Sequence, residues 1–138
     1  KPSTEKRFYI LDLLQKKLLL STYVAHGRGS GDNYAVAFSN RPGSYQSSLG
    51  FFRTGDTYMG KNGYSLFLDG LEKGINDKAR ERAIVVHGAN YADPAVLKGQ
   101  QRLGRSLGCP ALPPDISKQV IDTIKGGVLL YIYGLNKA

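Results

Sequence analysis

The chain has 138 residues, of which 41% are hydrophobic and 22% charged, a composition that fits one globular domain over residues 1–138 and excludes a disordered protein. Its 19 Lys and Arg residues outnumber its 11 Asp and Glu residues, and the net charge of +8 favours a polyanionic partner. One cysteine and two histidines exclude an internal disulfide, a zinc site with several thiolates and a three-histidine metal site, so we expect no metal and no cofactor.

Five β-rich segments separated by turn-forming residues fill the first half of the chain. They are RFYILDL (7–13), KLLLSTYVAH (17–26), YAVAFS (34–39), LGFFRTGDTY (49–58) and YSLFL (64–68). Only a polar turn separates the first two, which predicts a hairpin. Asn62-Gly63, between the last two, is typical of a tight turn and predicts a second hairpin.

Helical and apolar segments follow in the second half of the chain. NDKARER at 76–82 predicts a short helix with Asn76 as its N-cap. The apolar run AIVVH at 83–87 predicts a strand that is buried on both faces and ends in a histidine. Apolar residues at helical spacing predict a helix over 114–125, and VLLYIY at 128–133 predicts a last buried strand.

The patterns together predict about seven strands and two short helices. No β-α-β alternation runs through the chain, which argues against a doubly wound parallel sheet. The expected fold class is therefore mainly β, a sheet or sandwich with one or two short helices. The irregular stretch at 88–105 has a length that more often accompanies function than simple connection.

The basic residues are scattered, with dense stretches at 73–82 and 98–105. Acidic residues interleave with the first stretch, which predicts a solvated face. The second has three basic residues and no acidic one, and it precedes the cysteine. Because no strand pair interleaves aromatic with basic side chains, we expect no nucleic-acid partner.

No run of about 18 apolar residues is present, so we expect no transmembrane segment. The first residues, KPSTEKR, contain no apolar signal core. Either the protein is cytoplasmic or a signal peptide is absent from this sequence, and composition is compatible with both.

The single cysteine, Cys109, lies in the loop GRSLGCP at 104–110. The glycines of this loop allow a tight turn in which backbone N–H groups point inward, as an oxyanion hole requires. Arg102 and Arg105 are close in sequence and would favour the thiolate of Cys109. The alternative is a buried cysteine that packs as a small hydrophobic side chain.

Both histidines, His26 and His87, end an apolar strand and precede a glycine. A histidine at the junction of a buried strand and a loop is well placed for a general base. By spacing alone, either histidine could pair with Cys109 for acyl transfer, and either could instead be a core histidine bonded to backbone.

A longer pattern distinguishes the two histidines. The stretch IVVHGANY…GRSLGCPA resembles the signature of L,D-transpeptidase catalytic domains, the YkuD-like family, in which a strand-ending His-Gly precedes a loop and Ser/Thr-x-Gly-Cys. The segments FYILDLLQKKLL, VAHGRGSG, FSNRPGS, SSLGFF and YMGKNGYSLFLDGLEKGIND also resemble one branch of this family. Leu107 and Ala111 depart from its usual pattern. The resemblance implies an L,D-transpeptidase-like β-sandwich.

The resemblance also implies roles for the residues of the signature. Cys109 would be the nucleophile and His87 its base, acting on the carbonyl before the terminal D-Ala of a peptidoglycan stem tetrapeptide. The Gly88 carbonyl would orient the His87 ring, and the N–H groups of Gly108 and Cys109 would stabilise the oxyanion. Ser106 would shape the loop or bind the histidine or the substrate.

Further side chains are expected to line the substrate cleft. These candidates are Arg105, Arg102, His26, Tyr58, Tyr64 and Tyr91. The two arginines would supply the charge that is missing at Leu107 and Ala111, and His26 has a purely structural role as its alternative.

The resemblance implies peptidoglycan stem peptides as partners, a donor tetrapeptide and an amine acceptor, together with acylation by carbapenems. The protein would be a monomer outside the cytoplasmic membrane, in the periplasm or cell wall, with its signal peptide absent from this sequence. Two alternatives are an L,D-carboxypeptidase or amidase with the same Cys-His site and a non-catalytic, basic wall-binding module.

Overall fold

A computed structural model describes residues 1–136 of the chain. Its elements are β1 (Phe8–Asp12), β2 (Lys17–Thr22), β3 (Gly50–Gly60), β4 (Gly63–Gly70), β5 (Val85–Gly88), β6 (Ala111–Leu112), α1 (Pro114–Ile124) and β7 (Leu129–Ile132). Short 3-10 turns cover Arg28–Ser30, Asn90–Ala92 and Pro94–Lys98. The expected mainly-β class with one helix is confirmed. None of the helices in the described residues has the length and apolarity that crossing a bilayer requires.

Two sheets form the molecule. β1 and β2 pair as the expected antiparallel hairpin, and the other strands form a five-stranded sheet in the order β6-β5-β4-β3-β7. All neighbours in the larger sheet are antiparallel except β5 and β6, which are parallel. The predicted β3–β4 hairpin is present: Lys61 and Asn62 form its turn, and Gly63 begins β4 in the left-handed region at φ 81°.

The main core lies between the larger sheet and α1. It contains sheet residues such as Phe52, Leu66 and Val86, and helix residues such as Val120 and Ile121. The helix begins with Pro114 in its first turn, where a missing N–H removes no helical hydrogen bond, and it ends at Ile124. The predicted helix is thus confirmed, one residue shorter than expected.

β5 is the buried strand that the run AIVVH predicted. Val85, Val86 and His87 are all buried, and β5 pairs with β4 on one side and β6 on the other. A strand bonded on both edges and covered on both faces fixes the position of its last side chains. The fold therefore holds His87 rigidly.

The strand expected at 34–39 is wrong. The backbone N–H groups of Val36 and Ala37 both donate to the carbonyl of Ser30, a pattern that cannot continue as a strand ladder. The strand expected at 17–26 ends at Thr22. Between residues 23 and 27 the chain makes only two isolated bridges, from Ala25 to Ala111 and from Gly27 to Ser106.

The helix expected at 76–82 is also wrong, because this segment is a series of turns. Asn76 is not an N-cap. Its buried amide donates to the carbonyls of Leu49 and Phe51 at 2.9 Å, and its Oδ1 accepts from the N–H of Glu72 at 3.0 Å. The side chain therefore ties this segment to β3, and Ala83 ends the turns in the left-handed region.

β7 has the position expected for the last strand but not the expected burial. It is an edge strand that pairs only with β3, and Leu129 and Tyr131 are exposed. The apolar run VLLYIY therefore reflects a half-covered edge strand.

Candidate active site

His87 ends β5 with its ring fixed by a neighbouring carbonyl. The Nδ1 atom lies 2.9 Å from the carbonyl oxygen of Gly88, so Nδ1–H donates and Nε2 remains available as an acceptor. Nε2 has no hydrogen-bond partner among residues 1–136. In the same residues, every fully buried side-chain nitrogen and oxygen has a partner. The residue is only 4% exposed, but Nε2 keeps some contact with solvent, because a fully buried nitrogen would have a partner.

Gly88 is placed where no larger residue fits. A Cβ there would lie 2.5 Å from Oγ and 2.9 Å from Cβ of Ser117, on the first turns of α1. The glycine therefore allows α1 to pack directly against the end of β5. This close contact positions the carbonyl that orients His87.

Strand pairing brings the cysteine loop beside the histidine strand. His87 is in parallel register with Ala111, two residues after Cys109. The Cys109 sulfur accepts a hydrogen bond from the Val85 N–H at 3.4 Å and donates to the Ala83 carbonyl at 3.5 Å. No hydrogen bond joins this thiol to the His87 ring in the described part of the chain.

The environment of the thiol favours its neutral form. Burial raises the pKa of the Cys109 thiol above its ordinary value, and this effect outweighs the others. The Val85 N–H and the charges of Arg82 and Lys61 act in the opposite direction and limit the rise. A thiol in this state needs a base to become a nucleophile.

Arg82 is the site residue that the sequence reasoning missed. Its guanidinium donates to the carbonyls of Ser39 and Gln46 and to the hydroxyls of Ser44 and Ser48. Burial lowers the pKa of this guanidinium, against the opposing effect of Cys109.

The solvated face expected at 73–82 does hold for Arg80, which pairs with Asp69 on the surface. It is wrong for Arg82, because that side chain turns inward just before the buried strand. Its position directly before the run AIVVH was the only signal in the sequence.

Ser106 shapes the cysteine loop. Its buried hydroxyl donates to the Cys109 carbonyl at 2.6 Å and accepts from the Gly108 N–H at 3.1 Å. The Gly108 N–H is therefore occupied within the loop, which conflicts with its expected oxyanion role. The N–H of Cys109 has no acceptor among residues 1–136 and is free to fill that role.

The backbone around His26 is hydrogen-bonded to the same loop. The Ser106 N–H donates to the His26 carbonyl at 2.9 Å, and the Arg28 N–H donates to the Ser106 carbonyl at 2.8 Å. A Cβ on Gly27 would lie 2.9 Å from the Cα of Gly108 and 2.4 Å from the Tyr45 carbonyl. The motif VAHGRGSG is therefore explained by this close backbone approach.

The His26 ring has a structural role instead of the expected place in the cleft. Nδ1 lies 2.9 Å from an Arg7 Nη atom, which donates, so Nε2–H donates to the Gly31 carbonyl at 3.1 Å. Burial and the Arg7 charge lower the pKa of His26 to about 4. With both nitrogens engaged, this neutral ring cannot serve as the base.

A groove of about 480 Å³ opens at His87. Its lining residues are Lys61, Asn62, Tyr64, His87, Gly88, Ala89, Asn90, Tyr91, Pro114 and Ser117. Tyr91 and Tyr64 lie in it, and the Tyr64 hydroxyl donates to Asp122 at 2.5 Å. Burial, followed by the charge of Cys109, raises the pKa of Tyr91 to about 12. Tyr58 instead stacks on Phe67, outside the groove lining.

The two arginines expected at the substrate support loops instead. Arg105 donates to Asp32 at 2.9 Å, and Arg102 donates to the Leu103 carbonyl at 2.9 Å. Neither lines the groove. The positive charges that act on the thiol come from Arg82 and Lys61, because the chain folds those two toward Cys109.

A second depression, of about 300 Å³, opens at Arg82. It is lined by Pro42, Gly43, Tyr45, Arg82 and Leu107. Residues of both depressions thus act electrostatically on the sulfur, although Cys109 lines neither. Among residues 1–136, no group of three or more His, Cys, Asp and Glu side chains is placed to hold a metal ion.

Three solved structures are similar to the chain. An L,D-transpeptidase from Mycobacterium smegmatis is similar at 14% identity and a TM-score of 0.50, covering 86% of this chain and 50% of that one. An LD transpeptidase solved in complex with imipenem has 14% identity and a TM-score of 0.49, and the match covers 85% of this chain and 50% of that one. An Ldtfm–avibactam carbamoyl enzyme has 16% identity and a TM-score of 0.46, and the match covers 86% of this chain and 42% of that one. The chain spans about half the length of these proteins or less.

No curated protein sequence matches the chain. A family profile described as the L,D-transpeptidase catalytic domain matches residues 1–133, nearly the whole sequence. That match includes the strand with His87 and the loop with Cys109. The chain therefore belongs to the family of L,D-transpeptidase catalytic domains.

Proposed function

We propose that this domain is a peptidoglycan L,D-transpeptidase in which Cys109 is the nucleophile and His87 the general base. The observation that carries the proposal is the His87 Nδ1–Gly88 carbonyl bond of 2.9 Å. It leaves Nε2 free at the groove, on a strand in register with the one that follows Cys109. The family profile over residues 1–133 supports the same assignment.

In the first step the Cys109 sulfur attacks the carbonyl that precedes the terminal D-Ala of a stem tetrapeptide. His87 Nε2 accepts the thiol proton, a carbon–sulfur bond forms, and the imidazolium donates that proton to the leaving amine. D-Ala leaves as a free amino acid, and the stem remains as a thioester on Cys109. The thiol is neutral at rest, so the base acts within this step.

The resting sulfur is turned toward the Ala83 carbonyl and the Val85 N–H. Attack therefore requires rotation of the Cys109 side chain toward Nε2 of His87, which moves one short side chain. Catalytic hydrogen bonds commonly tighten only when substrate is bound.

The backbone around the sulfur provides one donor for the oxyanion. The unpaired N–H of Cys109 is the donor that the loop leaves available, while Ser106 holds the loop rigid by binding Gly108. A fixed donor of this kind typically contributes about 3–4 kcal/mol to stabilising the transition state.

In the second step an amine from another stem attacks the thioester and His87 accepts its proton. The new amide cross-links two stems, and Cys109 returns to the thiol. If water attacks instead, the same site acts as an L,D-carboxypeptidase. The groove of about 480 Å³ at His87 offers room for an extended peptide.

The proposed substrate implies further properties of the domain, namely its reaction with β-lactams and its location. A strained β-lactam carbonyl is an acyl donor for the same thiol, so carbapenems should acylate Cys109. A peptidoglycan substrate requires a location outside the cytoplasmic membrane. The net charge of +8 suits an anionic wall.

Digestion of purified tetrapeptide muropeptides tests this proposal. We expect released D-Ala together with cross-linked dimers, analysed by liquid chromatography and mass spectrometry. Tripeptide without dimers would assign hydrolysis in place of transfer. No product, with wall binding unaffected by Cys109→Ser, would assign the domain to the non-catalytic binding modules.

The two histidines provide a matched pair of variants for this digestion. His87→Ala should abolish product formation, because the base is lost. His26→Gln should retain product, because the amide can replace both bonds of a ring that only supports the fold. The opposite result would transfer the role of base to His26.

A further inference from the structure

The β1–β2 hairpin presents a cluster of leucines that nothing in the described chain covers. These exposed residues, called here the leucine tip, are Leu11, Leu13, Leu14, Leu18 and Leu19. Leu14 is 97% exposed and Leu13 is 77% exposed, values close to those of an unfolded chain. Isolated exposed leucines are ordinary, but five on one hairpin, with Leu11 paired to Leu18 across it, indicate a contact surface.

The hairpin is anchored so that only its tip is free. Phe8 and Ile10 on its inner side belong to the main core, and Leu20 packs against them. The Arg7 N–H donates to the Thr22 carbonyl at the base of the hairpin. The leucine tip is therefore presented by a fixed element.

Two lysines lie beside the leucine tip. Lys16 and Lys17 lie in the turn and at the start of β2, and both are exposed. The nearby acidic side chain, Asp12, accepts a hydrogen bond from the Gln15 N–H and holds the turn. Apolar side chains at a tip with lysines beside them match the two layers of an anionic lipid surface, the acyl boundary and the headgroups.

We propose that the leucine tip docks on a membrane surface containing anionic phospholipids. Leu13 and Leu14 enter the acyl boundary, and Lys16 and Lys17 bind headgroup phosphates. The contact is peripheral, because the tip is a turn of a two-stranded hairpin and spans nothing. It rests on residues outside the catalytic groove and does not depend on the proposed chemistry.

A second copy of the chain is a poorer occupant. A two-fold contact would place the same patch on both partners and bring Lys16 and Lys17 against their own copies. Anionic lipid satisfies both the leucines and the lysines.

Vesicle sedimentation tests the proposal, using phosphatidylglycerol–phosphatidylethanolamine vesicles beside vesicles of phosphatidylcholine alone. The wild-type protein should bind the anionic vesicles and not the neutral ones. Leu13→Ser/Leu14→Ser and Lys16→Glu/Lys17→Glu should each lower partitioning by about tenfold or more, because each removes one half of the contact. Met59→Ser is the matched control, since Met59 is 75% exposed near Lys61 on another hairpin, and it should bind as wild type.

Equal thermal unfolding midpoints of all variants would show that folding is unchanged, and thiol alkylation of Cys109 would show that the site is intact. Absence of binding to anionic vesicles would overturn the proposal. Equal effects of the leucine and Met59 variants would also overturn it, because binding would then not depend on the leucine tip in particular. A dimer abolished by Leu13→Ser/Leu14→Ser, without vesicle binding, would assign the leucine tip to a second copy.

Discussion

The Cys109 thiol is held between opposing influences. Burial among core residues raises its pKa, while the Val85 N–H and the charges of Arg82 and Lys61 lower it. The sulfur is therefore protected from indiscriminate reaction at rest but stays within reach of deprotonation. In the proposed mechanism, His87 accepts the thiol proton through Nε2, because its Nδ1 is bound to the Gly88 carbonyl.

Arg82 provides a direct test of this balance. Because its positive charge stabilises the thiolate, Arg82→Gln should raise the pKa of Cys109 further and slow alkylation at neutral pH. The pH dependence of the iodoacetamide reaction measures this shift. Arg82→Lys keeps the charge and should stay nearer the wild-type midpoint, and the exposed Arg80→Gln should leave it unchanged. An unshifted midpoint in Arg82→Gln would show that the charge of Arg82 does not influence the pKa of the Cys109 thiol.

His26 predicts a pH dependence of stability. Its pKa is about 4 in the folded protein and near 6.5 when unfolded, so the unfolded chain binds more protons between these values. Its contribution is therefore fully present above about pH 6.5 and is lost as pH falls toward 4, by up to about 3 kcal/mol.

Urea unfolding of wild type and His26→Gln across this range measures the effect. The difference between their free energies of unfolding isolates His26 from carboxylates that also titrate. That difference should change by a few kcal/mol between pH 7 and pH 4. A constant difference would mean that the His26 ring is not held neutral.

At the scale of elements, the contact between β5 and α1 determines the orientation of His87. Gly88→Ala places a Cβ within 2.5 Å of Ser117 Oγ and should push α1 away, at a cost of about 1–3 kcal/mol. The same shift moves the carbonyl that binds Nδ1, so acylation of Cys109 should slow at least about tenfold.

A second variant distinguishes this geometric effect from general damage. Gly88→Ala/Ser117→Gly removes both close atoms and should recover acylation relative to Gly88→Ala, with Ser117→Gly alone as the reference. Stopped-flow acylation by a carbapenem and thermal unfolding provide the two readouts. Failure of the double variant to recover acylation would contradict the role assigned to this contact.

The turns at 73–83 depend on one side chain rather than on helical hydrogen bonding. Asn76→Ala removes the bonds to the Leu49 and Phe51 carbonyls and from the Glu72 N–H. Leaving such buried groups unpaired should lower the free energy of unfolding by about 2–4 kcal/mol, measured in urea. Gln101→Ala, at an exposed amide, should change it by less than about 0.5 kcal/mol. Equal effects of the two variants would refute the anchoring role of Asn76.

For the whole molecule, local sequence patterns were sufficient where one interaction determines the structure. Asn62-Gly63 predicts its hairpin because few residues adopt a left-handed turn, and the apolar spacing at 114–125 predicts α1. The patterns failed at 34–39 and 76–82, where contacts with distant residues decide the conformation. Ser30 redirects the first segment, and the carbonyls of Leu49 and Phe51 capture Asn76 in the second.

The candidate site shows the same division between local and distant information. The resemblance to the family signature is enough to propose Cys109 and His87, and the bond from Nδ1 to Gly88 is between neighbours in the sequence. Which arginine lies near the sulfur was not predictable, because Arg82 reaches it from a segment 27 residues away while Arg105 is taken by Asp32. Proximity to Cys109 along the chain therefore did not predict which positive charges act on its thiol.

The proposed function depends on acylation of Cys109 with the help of His87. Intact-mass spectrometry after incubation with a saturating carbapenem tests it most directly. We expect one drug-mass adduct on wild type and on His26→Gln, and none on Cys109→Ser or His87→Ala. An adduct that persists in Cys109→Ser, or the absence of any adduct on wild type, would contradict this account.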